Sequence, residues 1–320
     1  MEQSRIMAKL SRLLFPLLAV LTLAPFFSAG MALVLGIATS LLLGNPYADK
    51  TRKATHLLLQ FSVMGLGAAM DLGVVGQVGF HGIGYTMAGI AVTLFLGTWI
   101  GRLLGVARDT SLLLTVGTAI CGGSAIAAVA PTIRAKSADV SVALATVFLL
   151  NAVALLIFPG IGHYFGLNET QFGLWSALAI HDTSSVVGAS MQYGAHALEI
   201  ATTTKLARAL WIVPVTLLIG HFYKHKNQAE GAQKAKRPWF ILGFLGAAAL
   251  VTWVPELRPA GLVVAAVARR SLVLTLFLIG SGITRATLKS VGLRPFLQGL
   301  LLWIVVGSAT LGAIQLGWIR

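Results

Sequence analysis

Apolar residues come in long stretches along this chain, divided by short polar or Gly- and Pro-containing breaks. Most stretches approach the roughly 20 residues that carry a helix across a bilayer. Eleven candidate spans follow: Leu13–Ser28, Met31–Leu43, His56–Val75, Gly82–Leu104, Thr110–Ile133, Val140–Gly160, Gln171–Tyr193, Ala201–Tyr223, Trp239–Val254, Ser271–Ile283 and Pro295–Leu316. The second and tenth are short, which fits a tilted, merged or interfacial helix. A membrane β-barrel would show short alternating segments instead. The pattern therefore predicts an all-α polytopic membrane protein with about 10–11 transmembrane helices.

Composition agrees. Of 320 residues, 57% are hydrophobic and only 11% charged, against about 25% charged in soluble proteins. The net charge of +14 does not imply nucleic acid, because Lys and Arg accumulate in cytoplasmic loops of membrane proteins and no basic domain stands outside the apolar spans. With the N-terminus inside, 16 of the 24 basic residues fall on the cytoplasmic side. Arg134 and Lys136 fall on the other side: the rule tolerates two exceptions, and a Thr110–Ile133 span that does not cross simply would also account for them. The first apolar run, preceded by Arg5, Lys9 and Arg12, reads as a retained helix. Cys121 is the one cysteine, so neither an intramolecular disulfide nor a cysteine metal cluster is available. Residues 1–320 read as a single integral membrane domain with core motifs at 110–133 and 171–223. The polar, basic stretch 224–237 reads as a cytoplasmic loop.

Two internal echoes stand out. Phe61–Met70 (FSVMGLGAAM) resembles Leu276–Arg285 (LFLIGSGITR), and the two spans run in opposite directions, as an inverted repeat requires. Cys121–Pro131 (CGGSAIAAVAP) resembles His181–Met191 (HDTSSVVGASM), although the span count makes that pair parallel.

Two spans should be interrupted. Gly122 and Gly123 lie midway through the fifth, where each glycine weakens a helix by about 1 kcal/mol relative to Ala. In the seventh, His181, Asp182, Thr183, Ser184 and Ser185 are poor interior residues but good N-caps. Both helices are expected to break near mid-membrane and restart at Ser124 and Ser184. Such breaks are tolerated only against protein or a wet cavity. A restarted helix presents free N–H groups and partial positive charge, the requirements of an anion site. A packing patch of small residues is the competing reading for the Gly122–Gly123 region, and Asp182 could serve only as an N-cap. Lys205 and Arg208, spaced i,i+3, share one face of the eighth span. They either face the broken helices and supply positive charge, with Thr202, Thr203 and Thr204 beside them, or snorkel to the surface.

The stretches Gly117–Val147, Gly173–Gly194, Thr203–Ile219 and Gly280–Leu301 resemble the signature regions of the sulfate-exporter family, bacterial inner-membrane proteins long catalogued as conserved hypotheticals. The resemblance covers nearly the whole chain. The family often has a longer, more charged loop than Lys224–Arg237. That family in turn resembles the inverted-repeat transporters with two crossed, discontinuous helices, which implies a core domain moving against a scaffold.

The reading that follows is a secondary transporter, not an enzyme, of a small inorganic or organic anion such as sulfate or a sulfonate. Gly122, Gly123, Ser124, Thr183, Ser184, Ser185, Lys205 and Arg208 would bind the anion. His181 or Asp182 would carry a coupling proton, with sodium the other candidate ion. The resemblance implies a multi-pass protein of the bacterial inner membrane. The lipid bilayer is its partner, and homo-oligomerisation is left open. No metal and no cofactor are implied. A cation/proton antiporter of the same fold is the alternative, although Asp71, Asp139 and Asp182 are not adjacent. An intramembrane enzyme is weaker still: Ser184, His181 and Asp182 lie within four residues and cannot readily align as a triad.

Overall fold

The computed structural model describes residues 2–70, 72–223, 239–285, 289 and 291–319. The expected loop 224–237 and Asp71 lie outside the described residues. Among those described, fourteen α-helices occur: α1 Glu2–Leu21, α2 Ala29–Leu43, α3 Ala48–Gly67, α4 Leu72–Leu103, α5 Arg108–Ala119, α6 Gly123–Thr132, α7 Ser137–Tyr164, α8 Glu169–Ala179, α9 Thr183–Tyr193, α10 Ala195–Ala209, α11 Ile212–Phe222, α12 Trp239–Trp253, α13 Arg258–Ser281 and α14 Leu293–Gln315. Among the described residues, five segments are long and apolar enough to cross a membrane: Gly84–Leu103, Ala138–Tyr164, Ala195–Phe222, Pro255–Ser281 and Leu293–Gln315. Their outward side chains include Phe95, Leu217, Leu262 and Val267, the surface that lipid covers. The protein is an all-helical, polytopic membrane protein.

Three expectations change in detail. The fifth and seventh spans are each two helices, as their composition predicted, but the restarts come one residue earlier, at Gly123 and Thr183. The eighth span is also divided, at Leu210 and Trp211. Pro214 has no N–H and crowds the carbonyl of Leu210, and there the backbone bonds tighten to Leu210 N–H on Ala207 O and Trp211 N–H on Arg208 O. The tenth span begins at Arg258 rather than Ser271. Arg269 and Arg270 look like a boundary in the sequence, but the helix runs through them.

The chain forms two compact units. Unit 1 comprises residues 1–77 and 238–288, and unit 2 comprises 78–237 and 289–320. Each of the two sequence echoes lies within one unit: 61–70 with 276–285 in unit 1, and 121–131 with 181–191 in unit 2.

In unit 1, α13 packs against α2 and α3 by backbone approach. A Cβ on Gly36 would collide with the Phe277 carbonyl, and one on Gly280 with the Leu33 carbonyl. Small residues serve this purpose in membranes, where association relies on close van der Waals contact. Gly67 and Gly261 approach the carbonyls of Phe244 and Ala68 in the same way. Asn45 closes one end of the unit, donating to Thr51 Oγ1, Ser281 O and Ser281 Oγ.

Unit 2 has an aromatic centre. Phe158 stacks on Trp175 with centroids 4.2 Å apart and lies 5.7 Å from Trp303. The Trp175 indole N–H donates to Gly307 O at 2.9 Å, tying α8 to α14. Gln298 of α14, fully buried, donates to Gly97 O and Ser111 Oγ and so joins α4 and α5. Asn168 and Gln171 form a capping box at the start of α8, and the Glu169 carboxylate accepts from the His196 and Ala197 amides at the start of α10.

Gly280→Ala is expected to lower the melting temperature in detergent, corresponding to a loss of about 1–3 kcal/mol from overpacking. Gly246→Ala, with nothing near its added Cβ, should leave the melt unchanged. Equal melts for the two variants would contradict the close packing of α2 on α13.

Candidate functional site

The two interruptions in unit 2 meet. Gly122 has φ +66°, and a Cβ there would sit 3.5 Å from both Cα and Cβ of Asp182 and 3.3 Å from Val147 Cγ1. Both the backbone angle and the crowding select glycine. Each half-helix is roughly 15–18 Å long at 1.5 Å per residue, about half the ~30 Å hydrocarbon thickness. Repeat-built transporters bring such breaks close together near mid-membrane. Here the two are in contact.

Four half-helix ends therefore meet with unpaired backbone groups. On the carbonyl side, α5 and α8 end in Ala119 and Ala179. Arg208 reaches both: Nε and Nη2 donate to Ala119 O at 2.9 and 2.7 Å, and Nη1 donates to Leu178 O at 2.6 Å and Ala177 O at 3.4 Å. Lys205 Nζ donates to Ile180 O at 2.7 Å and Ala177 O at 3.1 Å. Both cations are buried, Lys205 at 0% and Arg208 at 2% exposure, which excludes snorkelling. They sit where helix C-termini carry partial negative charge. Thr202, Thr203 and Thr204 are buried on the same helix.

On the amide side the two restarts differ. Asp182 is the N-cap of α9, and its Oδ2 accepts from the amides of Ser184 and Ser185 at 3.1 and 3.3 Å and from the Ser184 hydroxyl. Thr183, Ser184 and Ser185 are buried. The anion position at this helix start is thus occupied by the protein's own carboxylate. At α6 the N-cap is Gly122, which has no side chain to offer. The amides of Gly123 and Ser124 have no partner among the described residues, and Ser124 is exposed. Gly123, half-buried, faces Phe148 across a tight contact.

The structure thus brings together Gly122, Asp182, Ser184, Ser185, Lys205 and Arg208, and leaves Ser124 and Gly123 at an open helix start. Neither Lys205 nor Arg208 forms an ion pair with Asp182 within 4.0 Å. Sequence reasoning missed Asn151. Its Oδ1 accepts from the amides of His181 and Asp182 at 3.1 and 3.3 Å, holding the extended link between α8 and α9. Its Nδ2 is buried without a partner, as are both ring nitrogens of His181. The available signal was an Asn alone in the middle of a long apolar helix, where polar groups are costly. Asp139, the other described carboxylate weighed in the sequence, accepts from the Thr110 hydroxyl and joins α5 to α7.

The carbonyl bonding changes the expected behaviour of the two cations. The sequence reading gave Lys205 and Arg208 to the anion; their bonds to backbone carbonyls give them a part in folding as well. Removing Arg208 orphans two buried carbonyls, Ala119 O and Leu178 O, at about 1–3 kcal/mol each, while Ala177 O keeps Lys205, so Arg208→Ala should destabilise by on the order of 3 kcal/mol, and Lys205→Ala, which orphans Ile180 O alone, by less. Arg208→Lys should recover only part, since an ammonium cannot reproduce the planar fork. Thermal melts of the three variants check this order. An unchanged Arg208→Ala melt would remove Arg208 from its capping role.

The sequence profile of a family described as conserved hypothetical protein 698 matches residues 4–299. The chain is 68% identical over 313 residues to a UPF0324 membrane protein of Bdellovibrio bacteriovorus, covering 98% of this chain and 96% of that one. It is 48% identical to a UPF0324 membrane protein of Geobacter sulfurreducens (97% and 98% covered) and 50% identical to one of Porphyromonas gingivalis (89% and 86%). These names state a membrane protein and no substrate. No solved structure matches the chain. With a profile match across most of its length and near full-length relatives of this identity, the chain belongs to the conserved hypothetical protein 698 family of UPF0324 membrane proteins.

Proposed function

We propose that the protein is an ion-coupled secondary transporter of a small anion, acting at the crossing of the two interrupted helices. The observation that carries this is the charge balance there. The carbonyl ends of α5 and α8 carry about half a negative charge each, and the amide ends of α6 and α9 about half a positive charge each, so the four helix ends cancel. Lys205 and Arg208 then outweigh Asp182 by about one positive charge, and the α6 start remains open. A site with surplus positive charge and free amides suits an anion, whereas a cation antiporter needs surplus carboxylate. The resemblance to the sulfate exporters supplies the finer expectation of sulfate or a sulfonate. It also supplies inverted-repeat architecture and the bacterial inner membrane. The basic-residue distribution supplies a cytoplasmic N-terminus.

Asp182 supplies the coupling. Its Cα and Cβ stand against Gly122, at the open helix start, and its carboxylate would compete with an incoming anion, since two like charges in a low-dielectric site cannot both remain unpaired. Neither buried cation pairs with it, so anion entry favours proton uptake by Asp182, with the unpartnered His181 ring as relay. Protonation removes the competing charge, so anion binding should tighten as pH falls.

The test is a thermal-shift and flux comparison of purified, reconstituted protein with sulfate, sulfite, methanesulfonate and a cation series, at mildly acidic and mildly alkaline pH. Anions should stabilise the protein more at acidic pH and cross unchanged chemically. In Asp182→Asn binding should survive and its pH dependence should flatten. Full pH dependence in Asp182→Asn would move the proton site to His181. Stabilisation by cations alone would replace the anion reading with cation antiport.

A further inference from the structure

Asn151 sits where the two breaks of unit 2 meet, and the fold engages only one end of its side chain. It lies on α7, one turn beyond Val147 and on the same face. Val147 Cγ1 stands 3.3 Å from a Cβ on Gly122, and Phe148 and Leu144 stand against Gly123. The same stretch of α7 therefore runs past the start of α6 and past the link between α8 and α9. Asn151 Oδ1 accepts from the amides of His181 and Asp182 at 3.1 and 3.3 Å. Two N–H donors at one end of a carboxamide require that end to be the oxygen, so the NH2 group is fixed at the other end. Asn151 is 3% exposed, and its Nδ2 is buried without a partner among the described residues. Both ring nitrogens of His181, whose amide it holds, are buried and unpartnered as well. Gly122, the N-cap of α6, lies between Val147 and Asp182, both of them next to Asn151, so this donor and the open start of α6 share one corner of the crossing.

A buried donor without an acceptor costs about 1–3 kcal/mol, and the other residues from Val147 to Leu155 are all apolar. Tying down the link accounts for the oxygen of Asn151 but not for its nitrogen. An aspartate would hold the same two amides through stronger, charge-assisted bonds. What asparagine has and aspartate lacks is the Nδ2 donor and a neutral charge. A donor suits an acceptor such as an oxyanion and offers nothing to a hard metal cation, whose ligands are oxygens. We propose that Asn151 is a specificity-determining residue whose Nδ2 donates to an oxygen of the anion bound at the start of α6. This rests on the anion-transport reading of the crossing, and the experiment separates the two. The Gly123 and Ser124 amides and Nδ2 then form one set of neutral donors, and the link that Asn151 holds also carries Asp182.

Wild-type protein carrying nitrogen-15 in its asparagine side chains is purified in detergent and titrated with inorganic sulfate, sulfite or methanesulfonate, and the carboxamide resonances are followed by NMR. The chain has four asparagines, Asn45, Asn151, Asn168 and Asn227, so replacing the other three with serine one at a time assigns Asn151. Its resonance should move in step with the thermal stabilisation given by the same anion, while that of Asn45, in unit 1, stays in place. Asn151→Asp keeps an oxygen for both amides but replaces the donor with a charged acceptor. Its melt without ligand should stay near wild type, while the anion concentration needed for stabilisation at mildly alkaline pH rises by at least about tenfold, the loss of one hydrogen bond to a charged group. The charge-matched double variant Asn151→Asp/Asp182→Asn should show the same loss, which a change in net charge alone would not give. If an anion stabilises the wild-type protein while the Asn151 resonance stays fixed, or if the double variant binds that anion as wild type does, Asn151 is only a tie between α7 and the link. This inference then fails and the anion reading stands. If no anion stabilises the wild-type protein, both fail. Should the Asn151 variants not fold, the wild-type titration alone decides.

Discussion

Everything in unit 2 depends on satisfying the carbonyl ends of two helices that stop inside the protein. An interrupted helix in a membrane leaves its last carbonyls without partners, and lipid offers none. Arg208 meets this constraint for both helices at once, because one planar guanidinium bridges Ala119 O of α5 and Leu178 O of α8. Lys205 completes the α8 end through Ile180 O. The two cations are one turn apart on α10, so a single helix fixes the crossing from behind. The cations in turn are held by groups that carry only partial charge, and this is why the crossing retains positive potential after every donor visible on the carbonyl side is engaged.

That same arrangement explains what could be read in advance. The breaks were legible because they are local: a Gly pair and a run of five capping residues oppose helix continuity wherever they occur. The i,i+3 spacing of Lys205 and Arg208 was legible for the same reason. Their partners were not, because Arg208 and Ala119 are far apart in sequence and backbone carbonyls leave no residue-specific trace. Asn151 was passed over because one amide does not disturb an apolar pattern. The opposite error occurred at Arg269 and Arg270, where two charges were taken as the edge of a span although α13 continues through them. Hydropathy treats charge as a boundary signal, and here charge is interior.

The two restarts are alike in sequence position but not in chemistry. Ser124 and Ser184 occupy equivalent places in the echo between 121–131 and 181–191, yet Ser184 is buried under Asp182 and Ser124 is exposed at an uncapped start. One helix start carries a built-in anion, and the other carries none. The proposed linkage of proton and anion rests on this asymmetry, because the Asp182 carboxylate and an anion at the α6 start would compete for the same positive potential.

Arginine has a consistent use across the molecule. Arg208 in unit 2 and Arg270 in unit 1 both donate to backbone carbonyls at places where helices end, a role that suits a group which stays charged and presents five donors in a fixed plane. For the buried Arg208 the cost of the charge is offset by Ala119 O and Leu178 O, which would otherwise be orphaned, whereas Arg270 is half-buried and ties the loop between α1 and α2 to α13. Arg269 departs from that rule: it is adjacent to Arg270 but has no interruption of its own to close among the described residues.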